Sequence, residues 1–345
     1  MLANPEVFDV IIVGASYAGL SAALTLYRAT HTCLVFDSGA PRNSLARQTR
    51  LTSGWEGQNP EAMRTASRAE LQESGLVEFV QRRLESAQKK MDGLFEVLDS
   101  QGARWTGRKF LFATGAQEIY PAIEGYTENY GTLIFNCMFC FGFELRGDSS
   151  AGLLATGTLA HIGHAITNAR DAQKFVDTVT IYTDGDEPLA DKLREKLEHG
   201  LRVDHRKLRR LSKPKDSHGL VVWFDTAETE IIAFLVHKPD LQVDASLPDQ
   251  LGCEYVSGLG LKVTPPFNST NIEGVFAAGD CCSPLRNIPN AMSMGSFAGC
   301  GIARTLPARG NHRNQGFKLE GFPDKLKQDQ HVLNGIKCKI EATGQ

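Results

Sequence analysis

Cys137-Met138-Phe139-Cys140 is the stretch whose residue types and spacing carry the most chemistry. Two cysteines separated by two residues can close a small disulfide, and the first thiol of such a pair has a depressed pKa where the local field is positive. In a chain with no secretory signal, a C-x-x-C pair is more often redox-active or metal-binding than a structural staple. Zinc needs further ligands. Cys33, Cys253, Cys281, Cys282, Cys300 and Cys338 form no second motif at zinc spacing, with each other or with the histidines. A redox pair is the expectation and no metal is expected; a metal half-site and two inert buried cysteines are the alternatives. Asn136, just before the pair, can orient a thiol but cannot carry a proton.

The neighbours must decide between these readings, beginning with the first forty residues. Residues 9–13 (Asp-Val-Ile-Ile-Val) are a short β-branched run suited to a buried parallel strand. Gly14-Ala15-Ser16-Tyr17-Ala18-Gly19 follows at once, then residues 20–28 of helical composition, then a second apolar run, 32–36, ending in Asp37. This order is that of a dinucleotide-binding turn. Gly14 permits the tight turn, Ser16 is small enough for a pyrophosphate to approach the backbone, and Gly19 allows close helix–strand packing. The helix N-terminus, with Ala18 in its first turn, offers N–H groups to phosphates. Asp37 stands where an acid receives ribose hydroxyls and would repel a 2′-phosphate, so FAD or NAD is favoured. A glycine-rich turn that binds nothing is the alternative.

The 345 residues are 42% hydrophobic and 22% charged, an ordinary globular composition with room for two or three domains. A net charge of −3 argues against a non-specific nucleic-acid binder and a polybasic membrane anchor. No run of about 18 apolar residues predicts a membrane span. The start of the chain shows no basic region or small-residue cleavage site, and eight cysteines are too sparse for a disulfide scaffold. A cytoplasmic setting is the expectation.

Residues 38–59 read as a loop near the cofactor, where Arg42 can meet phosphate or ribose or lie in solvent. Residues 60–74 have helix composition and stop at Gly75. Residues 77–80, 95–98 and 104–105 read as strands of a small antiparallel excursion, and 108–113 as a strand ending in the turn Thr114-Gly115. Near the end, Gly274-Val-Phe-Ala-Ala-Gly279-Asp280 is an apolar strand, a turn beside a flat ligand, and an acid for sugar hydroxyls. Residues 289–302, including Asn290 and Ala291, form a small-residue helix. Its N-terminus can face the flavin, or the helix can simply be tightly packed. Cys281 and Cys282 read as loop residues near the cofactor.

The Gly14–Gly19 turn, Phe112-Ala-Thr-Gly115 and Gly274–Asp280 together resemble the two-dinucleotide-fold flavoprotein disulfide reductases. Cys137-x-x-Cys140, placed before a middle domain, narrows the resemblance to the low-molecular-weight thioredoxin reductase branch. With Phe141-Gly-Phe-Glu144 after it, the stretch is most similar to the FAD-dependent dithiol oxidases of gliotoxin- and holomycin-type pathways. The resemblance implies an α/β fold with a three-layer ββα FAD domain and a smaller, degenerate NADPH-type domain. It places the FAD domain at 1–118 and 245–310, the central domain with the cysteines at 119–244, and a tail at 311–345 that can serve a dimer edge. It implies FAD held by Gly14, Ser16, Gly19 and Asp37, with Asp280 on the ribityl chain; it also implies homodimers and puts Cys140 against the flavin.

The middle domain departs from a reductase. After a strand at 152–156, the glycines of the second turn fall at Gly157 and Gly163, and Leu159 stands where a glycine should let pyrophosphate approach. After the strand at 179–182 come Thr183-Asp184-Gly185-Asp186, acidic where the reductases carry arginines, so NADPH is not expected to bind productively. His161 and His164 read as polar loop or helix-start residues rather than catalytic ones. Residues 193–211 are amphipathic, 220–224 and 230–236 alternate as strands, and His237-Lys-Pro-Asp240 returns the chain to the FAD domain.

The expected chemistry is closure or rearrangement of a disulfide in a small, epidithiodiketopiperazine-like metabolite, with Cys137 exchanging, Cys140 passing electrons to FAD, and O2 as acceptor. Thioredoxin reductases carry Asp after the second cysteine and the dithiol oxidases usually His; this chain has Phe141, and Glu144 is the nearest carboxylate in sequence. Phe135, Phe139, Phe141 and Phe143 suggest an apolar surround for a compact metabolite. An NADPH-dependent disulfide reductase acting on a protein, and a non-catalytic FAD-binding assembly protein, are the alternatives.

Overall fold

Val10, Ile11 and Ile12 are fully buried in the strand Phe8–Val13. Both faces of this strand are covered, so its side chains are apolar without alternation. It pairs in parallel with Cys33–Phe36 on one side and Arg104–Phe112 on the other. Val77–Val80 extends the parallel sheet beyond Cys33–Phe36. Beyond Arg104–Phe112 the sheet continues antiparallel through Phe95–Asp99 and Leu84–Lys89. Val275–Ala277 returns from far along the chain to pair in parallel with Arg104–Phe112. The computed structural model describes residues 7–215 and 218–307, so the expectations for 311–345 lie outside the described residues.

Alternate residues of the central strands feed two cores. Val10, Ile12, Val35 and Leu111 pack under the helices Tyr17–Arg28, Pro60–Glu73 and Ile288–Thr305. Phe8, Ile11, Leu34 and Phe110 pack on the opposite face with Phe95, Val97, Leu247 and Leu251. The small residues of Ile288–Thr305 have a packing reason. A Cβ placed on Gly295 would lie 2.1 Å from the Ala18 carbonyl oxygen, so the last helix meets the first backbone to backbone.

Two expectations change here. Residues 104–105 and 108–113 are one nine-residue strand, antiparallel to Phe95–Asp99 in its first half and parallel to Phe8–Val13 in its second. Leu84–Lys89 was not anticipated as a strand; LESAQK has few β-formers, and its pairing with Phe95–Asp99 overrides local preference.

A second parallel sheet runs Leu201–Asp204, Val176–Tyr182, Asp148–Leu154, Leu235–Val236, Ile134–Phe135. Helix Ile162–Gln173 covers one face. An antiparallel ribbon, Leu208–Ser212, Leu220–Phe224 and Thr229–Ile232, lies against the other. Gln117–Ile119 and Asp240–Gln242 pair antiparallel where the chain leaves the first sheet for the second and where it comes back. The amphipathic 193–211 is three elements, not one. Asp186 Oδ1 accepts from Leu189 N at 2.9 Å and starts a helix upstream, Glu187–Arg194. Gly200, at φ +82°, then turns the chain into two strands. The alternation at 230–236 also splits, between the ribbon strand Thr229–Ile232 and the sheet strand Leu235–Val236.

Candidate active site

The short strand Ile134–Phe135 delivers Asn136 and Cys137 to the end of the second sheet. Cys137 and Cys140 are joined as a disulfide across the one-turn helix Met138–Phe141, with their Cα atoms 5.3 Å apart. The Cys140 amide donates to the Cys137 carbonyl at 3.3 Å. Met138 is buried and anchors the turn, while both cysteines and Asn136 are half-buried. The four phenylalanines do not form one surround. Phe135 and Phe141 stack at 5.0 Å between ring centres, so Phe141 is a packing residue where relatives of the resemblance carry a base. Phe139 and Phe143 are each 64% exposed. Lys174 Nζ lies over the Phe139 ring at 5.1 Å and the Arg146 guanidinium over Phe143 at 3.9 Å.

The titratable groups near this turn are differently occupied. Glu144 pairs with Arg50 at 2.8 Å, and Arg50 also pairs with Glu56 at 3.1 Å. His161 caps helix Ile162–Gln173 and His164 lies in its first turn, both exposed, with His164 Nδ1 3.1 Å from the Thr158 carbonyl. His237 is buried beside the cysteine strand, its amide donating to the Phe135 carbonyl at 3.0 Å. Its ring is held at both nitrogens, by Tyr126 Oη at 2.6 Å and Thr156 Oγ1 at 3.0 Å. Burial pushes its pKa down to about 4, so the imidazole is neutral near pH 7. Burial also lowers the pKa of the next residue, Lys238, against an opposing pull from Asp171.

At the first sheet, Gly14 has φ +109°, and a Cβ there would lie 2.2 Å from the Ala113 carbonyl oxygen. Gly19 sits against the Gly14 carbonyl. Ser16 precedes helix Tyr17–Arg28 without a side-chain cap bond, leaving the first-turn amides to a ligand. Ala18, Gly279 and Ala291 converge: a Cβ on Gly279 would lie 3.0 Å from that of Ala18 and 3.9 Å from that of Ala291. Thr114 and Gly115 follow the strand Arg104–Phe112. Asp37 ends the strand Cys33–Phe36 beside a cavity of about 250 Å³ lined by Arg68, Gln72, Phe79 and Gln81. Arg68 pairs with Asp37, lies over the Phe79 ring at 5.6 Å, and has a buried Nε with no hydrogen-bond partner. This tight turn, open helix start, cavity and unsatisfied cationic nitrogen fit a dinucleotide.

Arg42, read as a phosphate or ribose contact or as a solvated loop residue, is held by the protein itself. Its Nε donates to Asp280 Oδ2 at 2.8 Å, Nη1 to Glu118 Oε1 at 3.0 Å, and Nη2 to the Arg286 carbonyl at 3.2 Å. Glu118 also accepts from Tyr120 and Tyr130, at 3.0 and 2.9 Å. Arg42 therefore orients Asp280. Asn290, in the first turn of the last helix, donates through Nδ2 to Ser283 Oγ at 3.0 Å and the Leu285 carbonyl at 2.6 Å. Cys281 and Cys282 are buried with their thiols toward the carbonyls of Ala278 and Gly279, at 3.4 and 3.5 Å. Arg68, Glu118, His237 and Lys238 carried no motif; long-range pairing brings them to these positions, and no local spacing announces that.

The second sheet's turn is closed in a way the sequence reading did not foresee. Leu159 does not project into the turn; it is fully buried in the domain core, because Gly157–Ala160 winds as a 3₁₀ turn. Asp240 lies against the turn: a Cβ on Gly157 would be 2.7 Å from its Oδ1. Asp184 accepts from Leu208 N at 2.8 Å, and Asp186 caps the next helix. Among the described residues no group of three or more His, Cys, Asp or Glu is arranged to hold a metal, and no helix is long and apolar enough to cross a membrane.

A family model described as pyridine nucleotide-disulphide oxidoreductase matches residues 8–295. The chain belongs to this family. It is 35% identical over 311 residues to "Thioredoxin reductase sirT" of Leptosphaeria maculans, covering 88% of this chain and 95% of that one. It is 37% identical over 307 residues to "Thioredoxin reductase aclD" of Aspergillus oryzae, covering 87% and 96%. Among solved structures, an oxidoreductase from Agrobacterium tumefaciens superposes with a TM-score of 0.75 at 28% identity, over 86% of this chain and 97% of that one. The protein is a thioredoxin-reductase-like flavoprotein oxidoreductase with FAD as its cofactor, and its fold is that of the family.

Proposed function

We propose that this protein is an FAD-dependent dithiol oxidase that closes or rearranges a disulfide in a small sulfur metabolite of the epidithiodiketopiperazine kind, with O2 as acceptor. The observation that carries the reading is the carboxylate of Asp240 against the Gly157 turn. A pyrophosphate entering there would meet a negative charge, while Asp184 and Asp186 replace the cations a 2′-phosphate requires. Without NADPH, electrons enter from a thiol. Exposed Phe139 and Phe143, each faced by a cation, suit a compact apolar metabolite with polar carbonyls.

In this reading a substrate thiolate attacks Cys137 Sγ, the Cys137–Cys140 bond breaks, and Cys140 leaves as thiolate. The second substrate thiolate attacks the mixed disulfide at the substrate sulfur, Cys137 leaves, and the product disulfide closes. Two electrons and two protons pass from the dithiol to the cysteine pair. Bound FAD supplies the two-electron acceptor for the reduced pair, with O2 as final oxidant and hydrogen peroxide its product. Gly14, Ser16, Ala18 and Gly19 would take the pyrophosphate and Asp37 the ribose. Asp280, held by Arg42, would take the ribityl chain, and Thr114, Gly115, Asn290 and Ala291 would border the flavin. Asn136 orients Cys137. A homodimer is part of the proposal.

Anaerobic mixing tests it. A small dithiol should bleach the flavin and air should restore its colour, while NADPH alone should leave it oxidised. The relatives named thioredoxin reductases favour the second reading, an NADPH-dependent disulfide reductase, and prompt bleaching by NADPH would establish that instead.

A further inference from the structure

We propose that Lys238 provides the positive charge and the mobile proton that the Cys137 sulfur needs, in the place left by Phe141. The inference rests on the reading of Cys137 as the exchanging sulfur.

The strand register carries the argument. Leu235 and Val236 pair in parallel with Ile134 and Phe135, and the His237 amide extends that ladder to the Phe135 carbonyl at 3.0 Å. Continued past the last paired residues, this register sets His237 level with Asn136 and Lys238 level with Cys137. Pro239 follows, and a residue before proline is held extended, so the strand's alternation continues through Lys238. Val236 faces the core that also holds Phe135 and Met138, so Lys238, two residues on, emerges on the cysteine side. Asp171, on helix Ile162–Gln173 covering that same face, acts on Lys238 electrostatically, which agrees with this direction.

The other charges facing this position leave the role open. Asp171 is itself paired with Lys174 at 2.6 Å, and Lys174 lies over Phe139, between the two cysteines. His237, on the same strand, is neutral and held at both nitrogens. On the cysteine segment, Glu144 is paired with Arg50 and Arg146 lies over Phe143. A half-buried ammonium beside a sulfur favours thiolate, and burial lets it release its proton more readily than an exposed lysine does. Of the two protons of the dithiol, one goes to the Cys140 thiolate released in the first exchange and one passes through Lys238. When Cys137 leaves the mixed disulfide it takes the bonding electron pair, and the Lys238 ammonium gives it a proton, leaving an amine. That amine takes a proton from the next substrate thiol, which becomes the attacking thiolate.

The test uses the FAD-loaded protein, reduced under anaerobic conditions and alkylated with iodoacetamide from pH 5 to 10, with Cys137 labelling read by peptide mass spectrometry. Lys238→Gln should raise the midpoint of Cys137 labelling by about one pH unit, roughly tenfold less thiolate at neutral pH. Lys238→Arg should restore the midpoint but not the turnover rate, because guanidinium keeps its proton. Lys192→Gln, on an exposed helix position, should match the unaltered protein. If Lys238→Gln loses its flavin, Lys238→Met is read in its place, since it keeps the apolar stem. Superposition of the Lys238→Gln profile on that of the unaltered protein overturns the role of Lys238 alone. Failure of Cys137 to label in the reduced unaltered protein overturns the exchange reading beneath it.

Discussion

Arg50 Nη2 lies 2.8 Å from Glu144 Oε1, joining the loop after Arg42 to the segment that follows the cysteine pair. The carboxylate nearest the cysteines in sequence is therefore an ion-pair partner. A half-exposed pair of this kind contributes only about 0.2–1 kcal/mol. Glu144→Gln should keep the rate of dithiol-driven flavin reduction within about threefold. A hundredfold loss in anaerobic stopped-flow traces would make Glu144 the proton carrier after all.

The cysteines should separate cleanly from the cofactor. Cys137→Ser and Cys140→Ser should each retain bound flavin, because neither side chain belongs to the first sheet's turn. Each should lose dithiol-driven flavin reduction by about a thousandfold or more, since exchange through a single sulfur cannot release the product. Substantial residual reduction in either variant would move the electron entry point elsewhere.

Gly14 and Gly115 both have positive φ, yet they should respond differently to alanine. At Gly14 the added carbon would lie 2.2 Å from a carbonyl oxygen, whereas at Gly115 nothing lies within 4 Å. Gly115→Ala should cost about 1–2 kcal/mol, the ordinary left-handed penalty. Gly14→Ala should cost more and deplete bound flavin as well. Thermal unfolding and the flavin-to-protein absorbance ratio measure the two effects, and equal losses would mean the Gly14 turn is not constrained as described.

His237 predicts an acid-side instability. Its folded pKa of about 4 lies below the usual 6.5, so between these values the unfolded chain binds a proton the folded chain does not. Stability from this group is fully present above pH 6.5 and falls as the pH drops toward 4, by on the order of 3 kcal/mol at most. Urea unfolding of His237→Asn at pH 4.5, 5.5 and 7 should show a shallower fall than the unaltered protein. Parallel curves for the two proteins would count against a buried neutral imidazole.

Much of the first sheet was legible in advance because its information is local. A β-branched strand, a Gly14–Gly19 turn, a helix and a terminal acid occur consecutively, and each needs only its neighbours to be recognised. The strand Val275–Ala277 and the turn at Gly279 were legible for the same reason. Leu84–Lys89 was not, since its strand character comes from the partner Phe95–Asp99. The phenylalanines were visible as a cluster in sequence, but a helical turn sends Phe141 inward and Phe139 outward.

What the sequence determined by itself was the chemistry available: two sulfurs at disulfide spacing, a glycine turn for a dinucleotide, and a second turn short of glycines. Tertiary structure decided which charges meet. Arg42 reaches Asp280 across 238 residues, Arg68 reaches Asp37 across 31, and the pairing of Leu235–Val236 with Ile134–Phe135 brings the His237 amide to the Phe135 carbonyl. The physical reason is that hydrogen-bond and ionic partners are chosen by sheet register and helix packing, which depend on contacts between distant segments, whereas turns and strands are written in adjacent residues.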